Sequence, residues 1–175
     1  MTTEFIIWFD PEKCTQCYGC EVACRSWRAL DRGVRFRKVL NVWRGDFPRV
    51  KNHSVAMGCL HCVEPACVAA CPEEAIHKRE TDGLVRVDEG LCIGCQACWD
   101  ACLYKIPQFG PKGTMQKCDL CFDQVGREEG PPCVATCPGK ALSLIGVSAG
   151  EKLEHQKAIL ALLGERPSRR GSVAQ

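Results

Sequence analysis

Long apolar runs are missing from this 175-residue chain. The longest, residues 158–163, is far short of the ~20 residues that a membrane-spanning helix needs, so no transmembrane segment is expected. No secretory or twin-arginine leader precedes Cys14. That predicts assembly in a reducing compartment, with the protein cytoplasmic, membrane-peripheral, or exported only as part of a complex. No nucleophile paired with a base, no phosphate-cradling glycine loop and no open metal site stands out, so the chain is not expected to transform a substrate by itself. A dominant charge is lacking too: 23 Lys and Arg face 21 Asp and Glu, for a formal net of +2.

What the chain does have is cysteine. Its sixteen cysteines fall into four runs of four: Cys14, Cys17, Cys20, Cys24; Cys59, Cys62, Cys67, Cys71; Cys92, Cys95, Cys98, Cys102; and Cys118, Cys121, Cys133, Cys137. The first and third follow C-x2-C-x2-C-x3-C, the spacing of bacterial ferredoxins. The second widens one gap to x4 and the fourth widens it to x11, which lengthens a loop without changing the ligand order. Proline follows the last cysteine in two runs, at Pro72 and Pro138, another part of the ferredoxin signature. Sixteen thiolates suffice for four 4Fe-4S clusters with none left over.

Two blander readings compete. A disulfide framework suits short secreted chains, but three cysteines within seven residues leave little room for separate bridges. Zinc sites draw on two separated Cys pairs rather than on a tight triplet. Four repeats of one iron–sulfur spacing are more specific than either alternative.

The flanking segments indicate how the runs pair. Between runs two and three, an alternating strand, Asp82-Gly83 and a second alternating strand make a β-hairpin candidate. The strand before Cys14, over residues 5–10, matches the one leading into Cys92, and the segment after Cys137 matches the one after Cys71. Pairing of these terminal strands predicts an α+β fold of two intertwined ferredoxin-like units. Residues 4–24 and 112–147 make the outer unit and 59–111 the inner one. A basic hairpin is inserted at 25–58, and a short helix and tail occupy 148–175.

In ferredoxins the fourth cysteine of a run serves the other cluster. The expected sets are therefore Cys14, Cys17, Cys20 with Cys137; Cys118, Cys121, Cys133 with Cys24; Cys59, Cys62, Cys67 with Cys102; and Cys92, Cys95, Cys98 with Cys71. Each oxidised cluster with its thiolates carries roughly −2, so four add about −8 and bring the holoprotein to about −6.

Through Cys14-Thr-Gln-Cys-Tyr-Gly-Cys-Glu-Val-Ala-Cys24, Cys59-Leu-His-Cys-Val-Glu-Pro-Ala-Cys67, Cys92-Ile-Gly-Cys95 and Met115-Gln-Lys-Cys-Asp-Leu-Cys121, the chain resembles the iron–sulfur subunits of the dimethyl sulfoxide reductase family of molybdenum and tungsten enzymes. The small subunits of tungsten aldehyde oxidoreductases and benzoyl-CoA reductases are similar. The resemblance covers about residues 4–147 and implies a non-catalytic electron-transfer subunit. Its partners would be a molybdenum- or tungsten-pterin catalytic subunit and a ferredoxin, flavoprotein or membrane subunit. It further implies that the Cys14 set lies nearest the catalytic subunit and the Cys59 set at the far end. Leu103 departs from the family, where proline often follows the third run, and no long C-terminal extension of the kind that anchors some relatives to the membrane is expected. The alternative is a free-standing polyferredoxin or a hydrogenase- or formate-linked carrier.

Other features are weighed against plain packing. The basic segment 25–58 is read as a surface offsetting cluster charge, not as a nucleic-acid site. Trp27 and Trp99 lie next to cluster ligands, and packing is their default role. His61 stands inside Cys59-Leu-His-Cys62 as a hydrogen-bond donor candidate and not a ligand. Over residues 150–164 a rough helical stripe ends at Gly164. Leu153, Leu160 and Leu163 are expected there as anchors on another subunit, with Arg169 and Arg170 near acidic groups.

Overall fold

The computed structural model describes residues 3–123 and 130–164. Its elements are short, and two-stranded sheets tie distant parts of the chain together. The apolar residues 5–9 lie in strand β1 (Glu4–Phe9), which is buried at both ends of its length. It pairs antiparallel with the last strand among the described residues, from Glu4 opposite Val147 to Phe9 opposite Leu142, as expected for the terminal segments.

After β1 comes the first cysteine run, which ends on helix α1 (Gly19–Trp27). The inserted hairpin is present as β2 (Lys38–Arg44) and β3 (Lys51–Met57), paired from Lys38 opposite Met57 to Arg44 opposite Lys51. Its root is apolar and buried through Val39, Val55, Ala56 and Met57, while its tip leaves Trp43, Phe47 and Val50 exposed.

Helix α2 (Ala66–Ala69), strands β4 (Ile76–Lys78) and β5 (Val85–Val87) and helix α3 (Ala97–Ala101) follow. β4 pairs with β5, although residues 79–84 form a longer connection than the two-residue Asp82-Gly83 turn expected. Arg79 N–H bonds to Leu84 O, while the Asp82 carboxylate accepts from Leu84 N–H and pairs with Arg79. Gly83 has φ 69°, and a Cβ there would meet the Glu4 carboxyl carbon at 2.5 Å, so this turn is seated directly against β1.

A short hairpin of β6 (Gln108–Phe109) and β7 (Met115–Gln116), helix α4 (Pro132–Ala135), strand β8 (Leu142–Val147) and helix α5 (Ala149–Leu163) complete the described chain. α1 packs on α4 and α2 on α3. α5 starts at a capping box in which Ser148 and Glu151 satisfy each other's backbone N–H groups.

α5 was expected to dock on another subunit, but it packs on its own chain against β1 and β3. Lys152, His155, Gln156, Ile159 and Leu163 are buried, and the His155 ring stacks on Trp8 at 4.2 Å. Leu163 therefore belongs to the chain's own core, while Leu153 and Leu160 are exposed. Arg169 and Arg170 lie outside the described residues. No helix among the described residues is long and apolar enough to cross a membrane.

Candidate metal centres

Each cysteine run is a bent loop followed by a short helix. The residue just before the second cysteine has positive φ in all four runs: Gln16 (57°), His61 (46°), Gly94 (71°) and Leu120 (60°). The residue three places after the fourth cysteine does so in three of them, at Glu74, Lys105 and Lys140. Left-handed backbone at a non-glycine residue costs of order 1–3 kcal/mol and persists where the surroundings impose it. Such bends turn successive N–H groups inward as a nest suited to an anion, including iron–sulfur sites. Three N–H groups already point at thiols: Met115 to Cys92 at 3.3 Å, Leu120 to Cys118 at 3.4 Å and Ala141 to Cys137 at 3.2 Å.

The helix after each bend spaces the last two ligands. On α1, Cys20 and Cys24 lie one turn apart, ~6 Å along the axis, so that neighbouring centres can be served from one helix. Cys67, Cys98 and Cys133 lie in α2, α3 and α4, and Cys71, Cys102 and Cys137 at or beyond their ends.

Cysteines from different runs meet. Cys71, from run two, lines one apolar cavity with Cys92, Cys95 and Cys98 of run three, beside Ile76 and Met115. Cys102 acts electrostatically on both Cys62 and Cys67, which also feel Cys59. Cys24 lies beside Cys133 and Cys121, and Cys20 beside Cys14 and Cys133. A Cβ on Gly19 would stand 3.5 Å from Cys17 Sγ and 3.6 Å from the Thr136 side chain, which sets the Cys17 loop against the residue before Cys137. Among the described residues no three His, Cys, Asp or Glu side chains converge tightly enough for a single ion. A cubane holds its thiolates on separate iron corners, further apart than a tetrahedral zinc does.

Burial dominates the thiol chemistry. It pushes Cys20, Cys67 and Cys98 up to about 11 and Cys24 and Cys62 up to about 12, with neighbouring thiols adding to the effect. Metal-free, these groups are protonated at neutral pH, and loading a metal releases their protons. Cys17 and Cys95 alone among the sixteen are exposed.

Buried or partly buried cations face these thiols, and sequence reasoning missed them individually. Arg37 is buried with its Nη1 donating to Ala56 O at 3.1 Å, and it acts on Cys133, Cys118, Cys20 and Cys24. Gly58 leaves room for it, since a Cβ there would lie 2.9 Å from its guanidinium. Lys117 is buried beside Cys118, with its Nζ donating to Val85 O and to Cys118 O. Lys152 is paired with Glu4 at 2.7 Å and lies within electrostatic reach of Cys59. Arg28 bridges Asp119 and Asp123 and counters the burial that raises Cys121. The signal available was the basic excess of residues 25–58, of which Arg37 turns inward.

The remaining candidates separate cleanly. Trp27 and Trp99 are exposed, with Lys105 Nζ 4.5 Å from the Trp99 ring centre. Leu103 is exposed. His61 is fully buried; burial, followed by the nearby cations Lys117 and Lys152, holds it well below the usual histidine range.

Comparison with known proteins agrees with this geometry. Residues 50–147 match the family described as 4Fe-4S dicluster domain. One chain of the anaerobic dimethyl sulfoxide reductase of Escherichia coli is 42% identical over 81% of this chain and 73% of its own length. The formate dehydrogenase iron-sulfur subunit of Wolinella succinogenes is 32% identical over 93% of this chain and 87% of its own. One subunit of the sulfite dehydrogenase of Allochromatium vinosum is 32% identical over 79% and 67%. With four left-handed cysteine loops, buried cations beside the thiols and these relatives, the chain belongs to the 4Fe-4S dicluster family, as an iron–sulfur electron-transfer subunit that is not itself catalytic.

Proposed function

We propose that this chain relays electrons between a catalytic subunit carrying a molybdenum or tungsten pterin and a second redox partner, a ferredoxin, a flavoprotein or a membrane subunit. It does so as two intertwined ferredoxin-like units. The β1–β8 and α1–α4 pairings support the outer unit, residues 4–24 with 112–147, and the β4–β5 and α2–α3 pairings support the inner unit, residues 59–111. Residues 25–58 are the inserted hairpin and 148–175 the C-terminal helix and tail. The complex is assembled in the cytoplasm.

Four cubanes fit the donor set. Cys14, Cys17, Cys20 and Cys137 hold the first; Cys118, Cys121, Cys133 and Cys24 the second; Cys59, Cys62, Cys67 and Cys102 the third; and Cys92, Cys95, Cys98 and Cys71 the fourth. Bound there, they supply reversible one-electron chemistry. The chain's own work is to hold sixteen thiolates, exclude water and place Arg37, Lys117 and Lys152 against the accumulated negative charge.

Electron transfer to another protein favours centres near the surface. The two exposed ligands mark two ports, Cys17 and Cys95. The Cys17 end keeps its expected place beside the catalytic subunit. The far end is assigned to the Cys95 set instead of the Cys59 set, because Cys59, Cys62, Cys67 and Cys102 are each partly buried. Exposed Leu91, Ile93 and Leu103 belong to the segments around that second port.

The observation that carries this reading is the fourfold recurrence of a left-handed bend before the second cysteine, each followed by a helix that spaces the last two thiols. Anaerobic purification from native extract tests it. The chain is expected to co-elute with a much larger protein containing molybdenum or tungsten, and to carry about sixteen irons and as many sulfides. Migration as a lone small protein would overturn the subunit role, and about eight irons would overturn the four-cluster relay.

A further inference from the structure

His61, inside the second cysteine run, has incomplete hydrogen bonding. Its Nδ1 accepts the N–H of Val85 at 2.9 Å. A nitrogen that accepts cannot carry the proton, so in the neutral ring the hydrogen is on Nε2. Nε2 is buried and has no partner among the described residues. Leaving a buried donor unsatisfied is costly, and buried polar groups nearly always find an acceptor.

The position of the ring narrows what that acceptor is. His61 stands between Cys59 and Cys62, held by its left-handed backbone. The same Val85 that donates to its Nδ1 accepts from Lys117 Nζ through its carbonyl, and Lys117 Nζ also donates to Cys118 O at 3.1 Å. His61, Val85, Lys117 and Cys118 thus form one continuous chain of contacts from the second cysteine run to the fourth. Cys59 and Cys118 are close enough to act on each other's charge. Cys59 and Cys118 bring sulfur acceptors to this junction.

We propose that His61 is a positioning and tuning residue whose Nε2–H donates to a sulfur of the cluster group at the junction of the Cys59–Cys62–Cys67–Cys102 and Cys118–Cys121–Cys133–Cys24 sets. The proposal rests on those ligand sets. A hydrogen bond to sulfur stabilises the more negative, reduced state, so it raises the potential of the cluster that receives it. Val85 fixes the ring and Lys117 braces Val85, which makes the donor rigid.

Two substitutions separate the two nitrogens. His61→Asn places an acceptor near the Nδ1 position for Val85 but removes the distal donor, whereas His61→Gln places an amide donor near Nε2. Redox titration of the intact complex, followed by electron paramagnetic resonance, is expected to show a lower potential for one junction cluster in His61→Asn. His61→Gln is expected to restore part of it, and the Cys14 and Cys92 sets are expected to stay unchanged. Four unshifted potentials in a fully loaded His61→Asn complex would overturn the proposal. If His61→Asn loses a cluster, the wild-type complex labelled with 15N-histidine decides instead. Pulsed resonance of its reduced clusters detects imidazole nitrogen coupling if the hydrogen bond exists, and its absence, as when a buried water takes the proton, overturns it. Iron content of the wild-type complex, measured on the same sample, tests the ligand sets separately.

Discussion

Lys152, on helix α5, is fully buried with its Nζ 2.7 Å from Glu4 Oε2 on β1, and the other carboxylate oxygen of Glu4 holds Lys78 Nζ, also at 2.7 Å. One carboxylate therefore clamps the C-terminal helix, the first strand and the inner hairpin, and leaves a surplus positive charge on the side of Cys59. Burial alone would raise Glu4, but the hydrogen bonds from Lys152 and Lys78 outweigh it and hold the carboxyl below its ordinary 4.5. Glu4→Gln strips both lysines of their counter-charge. The expected loss is about 3 kcal/mol, or of the order of 10 °C in Tm, read as a thermal melt of the loaded protein. A carboxylate whose folded pKa is depressed stabilises fully above its unfolded value, so the wild-type advantage is expected to persist above about pH 4.5 and to vanish as pH falls through the lowered folded value. In Glu4→Gln that acid-dependent step is absent.

The helix this clamp secures shows where sequence reading reached its limit. Residues 150–164 were legible as a helix ending at glycine, and the capping Ser148 fits that. Which face is buried was not legible, because the inward side carries Lys152, His155 and Gln156 alongside Ile159 and Leu163. The partners of this polar face are distant in sequence: Glu4 pairs with Lys152, and Trp8 stacks on His155. Periodicity of apolar residues cannot reveal such partners. The β1–β8 and β4–β5 pairings were legible because repeated flanks matched in pattern. The left-handed bends were not, since only Gly94 among Gln16, His61, Gly94 and Leu120 is a residue that favours them.

Truncation distinguishes the helix from the tail. Ending the chain after Gly150 removes Lys152, His155, Ile159 and Leu163 from the core and uncovers β1 and β3. That variant is expected to lose stability and clusters, not merely partner affinity. Ending it after Gly164 keeps every buried residue of α5 and the carbonyls of Ala161 and Leu162 that accept from Arg44. It is expected to retain full iron content and an unchanged melt, which iron analysis and calorimetry would check.

The hairpin tip stands beside the first port. Asn41 donates to the Tyr18 hydroxyl at 3.0 Å and Asn52 to Gln16 at 3.1 Å, so the hairpin face that carries them covers the segment around Cys17. Trp43, two residues beyond Asn41 and directly opposite Asn52, is exposed together with Phe47. Large exposed aromatics next to a redox port are candidates for the contact residues that dominate an interface. Trp43→Ala and Phe47→Ala together are expected to weaken association with the catalytic subunit at least tenfold while leaving cluster content unchanged. Equal co-purification of the double variant and the wild type would show that the partner does not use this hairpin.

Cys24 offers the sharpest test of crossed ligation. It shares helix α1 with Cys20, yet its neighbours are Cys133 and Cys121, from the far end of the chain. If each run held its own cluster, Cys24 would complete the group of Cys14, Cys17 and Cys20. If the runs cross, it completes the group of Cys118, Cys121 and Cys133. Cys24→Ser is therefore expected to convert the latter cluster to a three-iron form, since a serine oxygen is a poorer partner for iron in this soft site than a thiolate. Damage is expected to be local, because the other three sets keep all four of their thiols. Electron paramagnetic resonance of the oxidised variant is expected to show one three-iron signal. Combining the substitution with Cys118→Ser is expected to harm that same cluster further and leave the others intact. A variant in which Cys24→Ser and Cys14→Ser instead converge on a single cluster would establish run-by-run ligation and refute the crossing.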